Sequence, residues 1–372
     1  MCRISLKFHL KYFTLLILFF ALNFYFSQVV DIGGPVSWDL KEDRGFKNLS
    51  SFITPSFDLQ NQLDKDEEST ANKLAPFRFG FEHKVHLNTI NSGDWVNVED
   101  GRIWRLKIKS PGALSINLVL DKFHLPKGVF LYLYSEDHNH LVGAYTSINN
   151  NSQNILGTDI VKGEDVIVEL FEPNHLKGEV KFQISRIVHG YKDIDDWFSQ
   201  KVNESGACNM DVICPDGTPW ANEIKSVARI MIGGGLCTGT LVNNTLEDGT
   251  PYFLTANHCG PSSMGSAVFR FNYDSPICGS QTTANSQVPT GSVQAINGSS
   301  VVASNSDSDF GLLLLNSTPT SSMDVFYSGW NHANSIPTTG VCIHHPSGDV
   351  KKISFDDDPL QSSTYSGVSN NM

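Results

Sequence analysis

His258 and Asp309 are the two residues of this sequence whose types and spacing could do chemistry. A histidine titrates near neutrality and can take a proton from a hydroxyl nucleophile, provided that its ring is held in one orientation. A carboxylate on the other ring nitrogen fixes the tautomer and stabilises the imidazolium. Asp309 immediately precedes the apolar run Phe310-Gly311-Leu312-Leu313-Leu314-Leu315. It should enter the interior at the start of a strand, where its charge needs a hydrogen-bonding partner. Asp307, two residues earlier, is expected to be solvated. The element that must deliver His258 is the stretch 237–259. Its two apolar runs, 240–242 and 252–256, flank a segment rich in chain-bending residues, so it reads as a hairpin. A disulfide from Cys237 to Cys259 would pin the ends of that hairpin beside the ring, and closing such a loop is worth about 3 kcal/mol. Taken alone, the stretch also fits a stapled hairpin with an incidental surface histidine.

The chain of 372 residues is long enough for two or three domains with real cores. A formal net charge of −12 argues against nucleic acid as a partner. A basic start, an apolar run over 12–26 and the small residue Ser27 read as a secretory signal peptide over 1–27, too short for a spanning helix. The protein is therefore expected to be secreted, extracellular or periplasmic, with no membrane association after signal cleavage. The six cysteines beyond the signal, Cys208, Cys214, Cys237, Cys259, Cys278 and Cys342, all fall in the last 165 residues. That asymmetry predicts a disulfide-bonded domain behind a cysteine-free one.

Residues 28–76 are polar and mixed, with the charged run 64–68, and read as a poorly ordered leader or linker. Over 77–190 the hydrophobic period becomes two, with Trp104, Leu106 and Ile108 alternating with Arg105, Lys107 and Lys109. Turn signals recur between such runs, which is the pattern of a β-sandwich. His83, His86, His138 and His140 are spaced too loosely for a metal site and read as solvated loop histidines. Residues 191–207, with Asp193, Asp195, Asp196 and Lys201, read as an exposed linker open to proteolysis. From 208 to 372 short apolar runs return at 227–232, 240–242, 252–256, 267–273, 310–315 and 341–343, so this half also reads all-β. Gly233-Gly234-Gly235 lacks the lysine and helix of a phosphate loop and reads as a hairpin turn. No motif calls for a cofactor or a metal.

Thr255-Ala256-Asn257-His258-Cys259 resembles the histidine motif of chymotrypsin-like serine peptidases, and Ser308-Asp309-Phe310-Gly311-Leu312 resembles their aspartate motif. Within that superfamily, the stretches 208–215, 237–244, 251–259 and 343–354 are similar to secreted bacterial lysyl endopeptidases. The resemblance implies an all-β fold: a β-sandwich propeptide-like domain, then a chymotrypsin-like double β-barrel. It implies His258 as general base, Asp309 as its orienting carboxylate, and disulfides Cys237–Cys259 and Cys214–Cys278. Cys208 and Cys342 are left either free or joined to each other. His344 and His345 are adjacent on a strand, face opposite ways and read as structural. The implied substrates are proteins and peptides, with cutting after lysine implied by the resemblance alone, an intramolecular propeptide as a further partner, and processing expected near Lys201.

Family members place the nucleophilic serine in a glycine-flanked motif well after the segment matching His-His-Pro. Ser262, Ser263, Ser266, Ser347 and Ser366 lack such flanks, which free backbone N–H groups for an oxyanion hole. The sequence ending at Met372 therefore reads as C-terminally incomplete, with an unfinished second barrel. Loss of the serine alone lowers such a triad's rate on the order of a million-fold, so the chain as given is expected to be inactive. The alternative is a non-catalytic secreted binding or decoy protein on a protease-like scaffold. Retention of both His258 and Asp309 speaks against it.

Overall fold

A computed structural model describes residues 33–40, 49–72, 75–195, 205, 208–279, 294–333, 335–361, 364–365 and 368–369. The signal segment, Lys201 and Ser366 lie outside the described residues. The chain is mainly β, built as a two-sheet N-terminal unit followed by a barrel and a smaller sheet.

The N-terminal unit follows from its period of two. In one sheet the strand Gly101–Lys109 is flanked by Asp165–Pro173 and Asp94–Val98. In the other, Lys181–Gly190 lies between Ser115–His124 and Gly80–Leu87. Trp104, Leu106 and Ile108 of the first sheet meet Ile116, Leu118, Leu120, Ile184 and Ile187 of the second in one core. Each such buried side chain contributes about 1.5–3 kcal/mol. Residues 115–120 of the strand Ser115–His124 are buried on both faces, because their outer face lies under the C-terminal half, where Asn117 Nδ2 donates to the Gly233 carbonyl at 3.3 Å.

The leader departs from expectation. Residues Leu59–Asn72 form a helix, opened by Asp58, whose carboxylate accepts from the Asn61 amide at 3.0 Å. The charged run lies within that helix. Asp66 is buried and paired with Arg78 at 2.6 Å and Lys192 at 2.7 Å, and Tyr191 donates to it at 3.0 Å. The helix is anchored through an ion-pair hub instead of a broad apolar stripe, so composition alone reads it as linker. Just before it, Phe57 stacks on Phe81 with ring centroids 4.3 Å apart.

Of the four loosely spaced histidines, His86 and His138 are exposed, as expected, whereas His83 differs from expectation. His83 is buried on the strand Gly80–Leu87, with Phe57 and Phe81 edge-on to its ring. His138 stacks on Trp38 of the leader at 4.6 Å. Leader aromatics reach both rings, burying His83 and stacking on one face of the exposed His138, which sequence spacing cannot show. His189 lies 6.3 Å from His83, and its Nδ1 meets Ser110 Oγ at 2.8 Å. Burial, and then the neighbouring His83, push His189 down to about 4, and burial also lowers His83. Both are depressed below the ordinary 6.5, so the unfolded chain binds more protons in this window. Stability is present above pH ~6.5 and falls as the pH drops towards 4. The urea midpoint should fall through this window, and His189→Gln should flatten the dependence.

The barrel of the C-terminal half begins with the hairpin Val227–Ile232 and Gly235–Val242, turned at Gly233-Gly234 with Gly233 in the left-handed region. Tyr252–Ala256 and Phe310–Leu315 extend the sheet on one side, and Val268–Phe271 extends it on the other. Gln294–Asn297 pairs with Val268–Phe271, while Ser299–Asn305 pairs with Phe310–Leu315. Only Gly298, at φ 74°, separates these last two strands, so they act as one bent strand that returns the sheet upon itself as a barrel. A three-stranded sheet follows, in the order Met210–Asp211, Lys352–Asp356, Gly340–His344.

The two halves share a seam. Phe77–Arg78 adds a short strand to Gly235–Leu236. Phe79, Ile160, Val188 and Ile194 pack with Met231, Leu236, Val268 and Ala295. The described part of the connector does not match the expected exposed linker. Ile194 and Asp195 are buried, because Asp195 lies between Arg229 and Arg270 of the barrel.

Candidate active site

The antiparallel register Ala256↔Phe310, continued by one step, sets Asn257 beside Asp309, and the Asn257 amide donates to the Asp309 carbonyl at 3.0 Å. The chain then enters the tight turn Asn257–Cys259, which carries the His258 side chain. His258 Nδ1 lies 2.7 Å from Asp309 Oδ2, and the His258 backbone N–H donates to Oδ1 at 2.8 Å. Both carboxylate oxygens are therefore engaged by the same residue, one on its ring and one on its backbone. The Asp309 side chain is 9% exposed and the His258 side chain 27%. A carboxylate facing Nδ1 selects the tautomer protonated there and leaves Nε2 as the basic ring nitrogen. The arrangement can accept a proton at Nε2 and stabilise the imidazolium that results.

Two devices that motif reading did not reveal hold this pair. Asn305 Oδ1 accepts from the Asp307 amide at 2.8 Å, the Ser308 amide at 2.9 Å and Ser308 Oγ at 3.0 Å. It thereby shapes the turn that ends at Asp309, whose φ of 49° is left-handed. An Asn placed before a Ser/Asp cluster is the available sequence signal, because Asn side chains cap such turns. Thr238 is the second device. Its carbonyl accepts from Thr255 Oγ1 at 2.8 Å and its hydroxyl from the His345 amide at 3.0 Å, linking the histidine strand to the loop 345–349. That link crosses 107 residues and has no local signature.

Cys237 and Cys259 are bonded, as are Cys214 and Cys278. Cys208 and Cys342 are free and exposed. Ser354 faces Cys342 across the sheet, and Met210 pairs with Ile353 on the far side of the same strand. Cys342 lies on the edge strand Gly340–His344, and Cys208 lies just ahead of the opposite edge strand Met210–Asp211. Cys237, Cys259 and His258 cluster within 4.8 Å. The two sulfurs are bonded to each other, so the cluster offers no thiolate ligands. His345 is buried, with Nδ1 3.0 Å from the Asp349 carbonyl, while His344 lies 3.5 Å from Cys342 Sγ. Of the serines considered from the sequence, Ser262, Ser263 and Ser347 are exposed, and Ser266 is buried with its hydroxyl on the Ser263 carbonyl.

Comparison with known proteins agrees with this geometry. The family described as "Lysyl endopeptidase, C-terminal domain" matches residues 202–372. A curated relative, "Lysyl endopeptidase" of Pseudomonas aeruginosa, is 28% identical over 319 residues, which cover 76% of this chain and 63% of the relative. The chain thus spans under two thirds of the length of the curated relative that it matches. With its barrel, its bonded cysteines and its histidine–aspartate pair, the chain is similar to lysyl endopeptidases, and through residues 202–372 to their C-terminal domain.

Proposed function

We propose that this chain is the precursor part of a secreted serine endopeptidase, with His258 as general base, Asp309 as its orienting carboxylate, and peptide bonds following lysine as substrate. The observation that carries the reading is the double grip of Asp309 on His258, through ring and backbone together. Lysine preference is supported by the likeness to lysyl endopeptidases. Residues 1–372 taken by themselves supply a base and no glycine-flanked nucleophile, so they are proposed to be inert. Residues 77–190 act as a propeptide, and cleavage in the connector after Lys201 separates them from the catalytic unit.

Two measurements test this. N-terminal sequencing of the secreted enzyme should find a first residue close behind Lys201; a start before Tyr191 or after Cys208 contradicts the processing. The enzyme completed with its nucleophilic serine should cut lysyl, arginyl and leucyl peptide amides with kcat/KM at least about 100-fold in favour of lysine, since burying an unmatched polar or charged group costs several kcal/mol. Equal cutting after arginine rejects the specificity.

A further inference from the structure

Arg229 and Arg270 stand directly opposite each other on the paired strands Val227–Ile232 and Val268–Phe271. Like charges in that cross-strand position repel. Here both are also buried, with side chains 0% and 2% exposed. Such a pair persists only with anionic charge held between the guanidinium groups. That charge is the carboxylate of Asp195. It accepts from Arg229 Nη2 at 2.6 Å, from Arg270 Nη1 at 3.0 Å and from Tyr273 OH at 2.9 Å. Asp159 of the N-terminal unit holds the other edge of Arg270. The Arg229 guanidinium lies 3.7 Å over the Tyr273 ring, and its Nε–H is buried without a partner, a spare donor in the same place. Among the described residues, every carboxylate paired with these arginines comes from position 159 or 195, ahead of the connector cut.

We propose that Arg229, Arg270 and Tyr273 form an oxyanion-binding site of the catalytic unit. Asp195 fills it in the uncleaved chain, and a free oxyanion, a small carboxylate or phosphate, takes its place once the N-terminal unit has gone. The inference rests on the proposed separation of the two units only for that last step. The three donors converge on one carboxylate, Arg229 Nη2 and Tyr273 OH on Oδ1 and Arg270 Nη1 on both oxygens, and guanidinium groups favour carboxylate and phosphate acceptors over chloride. The barrel thereby builds a cation pair that its own described residues do not neutralise.

The full chain carrying Asp195→Ala tests the site without any cleavage. In sodium chloride its Tm should lie below that of the parent. Sodium formate at the same ionic strength should raise it by about 2–4 °C, the response expected for a ligand that binds only the folded state. The parent, with its carboxylate in place, should show no such difference. If the alanine variant folds in neither salt, Asp195→Ser, which keeps a polar group and still leaves room for formate, is compared in the same way. An equal response of variant and parent to formate overturns the site. The exchange is tested on the chain cut within 196–204: inorganic phosphate should part the two pieces more readily than chloride at equal ionic strength. If phosphate has no such advantage, the exchange is wrong. If neither salt parts them, the separation itself fails, while the formate result still decides the site.

Discussion

Asp309→Asn, placed in an enzyme that carries the nucleophilic serine, is expected to lower kcat by about 10,000-fold while leaving KM for a lysyl amide nearly unchanged. The asparagine amide keeps the shape of the side chain, and its one oxygen can still accept from the His258 backbone N–H, which in the parent donates to Oδ1 at 2.8 Å. The NH2 group then faces Nδ1, where the carboxylate oxygen lies at 2.7 Å, and an amide donor there requires the ring to present a lone pair. The proton is driven to Nε2, and the base becomes unable to accept one. His258→Ala should be more severe, on the order of a million-fold, because the proton acceptor itself is gone. Single-turnover release of product from a lysyl ester separates the two. A loss below about tenfold for Asp309→Asn would remove the carboxylate from the mechanism.

Phe253→Ala is expected to destabilise the protein by about 3–5 kcal/mol. Phe253 is fully buried in the strand that leads to His258. Its ring meets Phe269 at 5.0 Å and Phe271 at 6.3 Å, both edge-on. Gly239, opposite Thr255 on the neighbouring strand, carries no side chain, and a Cβ there would strike the Phe253 ring. The aromatic ring thus fills space that its neighbours leave, and alanine would open a cavity that stiff strands on both sides cannot close. Guanidinium unfolding should give the full loss, whereas Phe253→Leu should retain more than half of the stability. An effect under 1 kcal/mol would show that the barrel interior can collapse around the gap.

Much of this architecture was legible in the residues because apolar runs were bounded by turn chemistry. Val227–Ile232, Tyr252–Ala256 and Phe310–Leu315 are strands of this kind, and Asp309 stood out as the last polar residue before the third. The bent strand 294–305 was not legible. Its second half reads Ser-Ser-Val-Val-Ala-Ser-Asn, lies largely exposed, and gains its place by pairing with Phe310–Leu315. The same holds for the Leu59–Asn72 helix, whose anchor Asp66 reaches Lys192 far along the chain. Asp195 is the sharpest case. Among Asp193, Asp195 and Asp196 it looks like one more solvated acid, yet its partners Arg229 and Arg270 arrive 34 and 75 residues later. Periodicity reports which face of an element is apolar, and it cannot report which distant charge will be folded against it.

The two-residue strand Phe77–Arg78 carries a consequence for the order in which the chain is made. The amides of Phe79 and Gly80 donate to the Gly234 carbonyl at 2.8 and 3.1 Å, so the earlier segment holds the very turn on which the later hairpin reverses. Chains emerge N-terminus first, and the two-sheet unit has a core of its own to assemble around. When residues 227–242 are finally synthesised, their hairpin meets a surface already in register with it. The loop between these partners is long, and its closure entropy falls on the slowest class of contact. A prepared edge shortens that search, so the seam serves as a template in time as well as a contact in space.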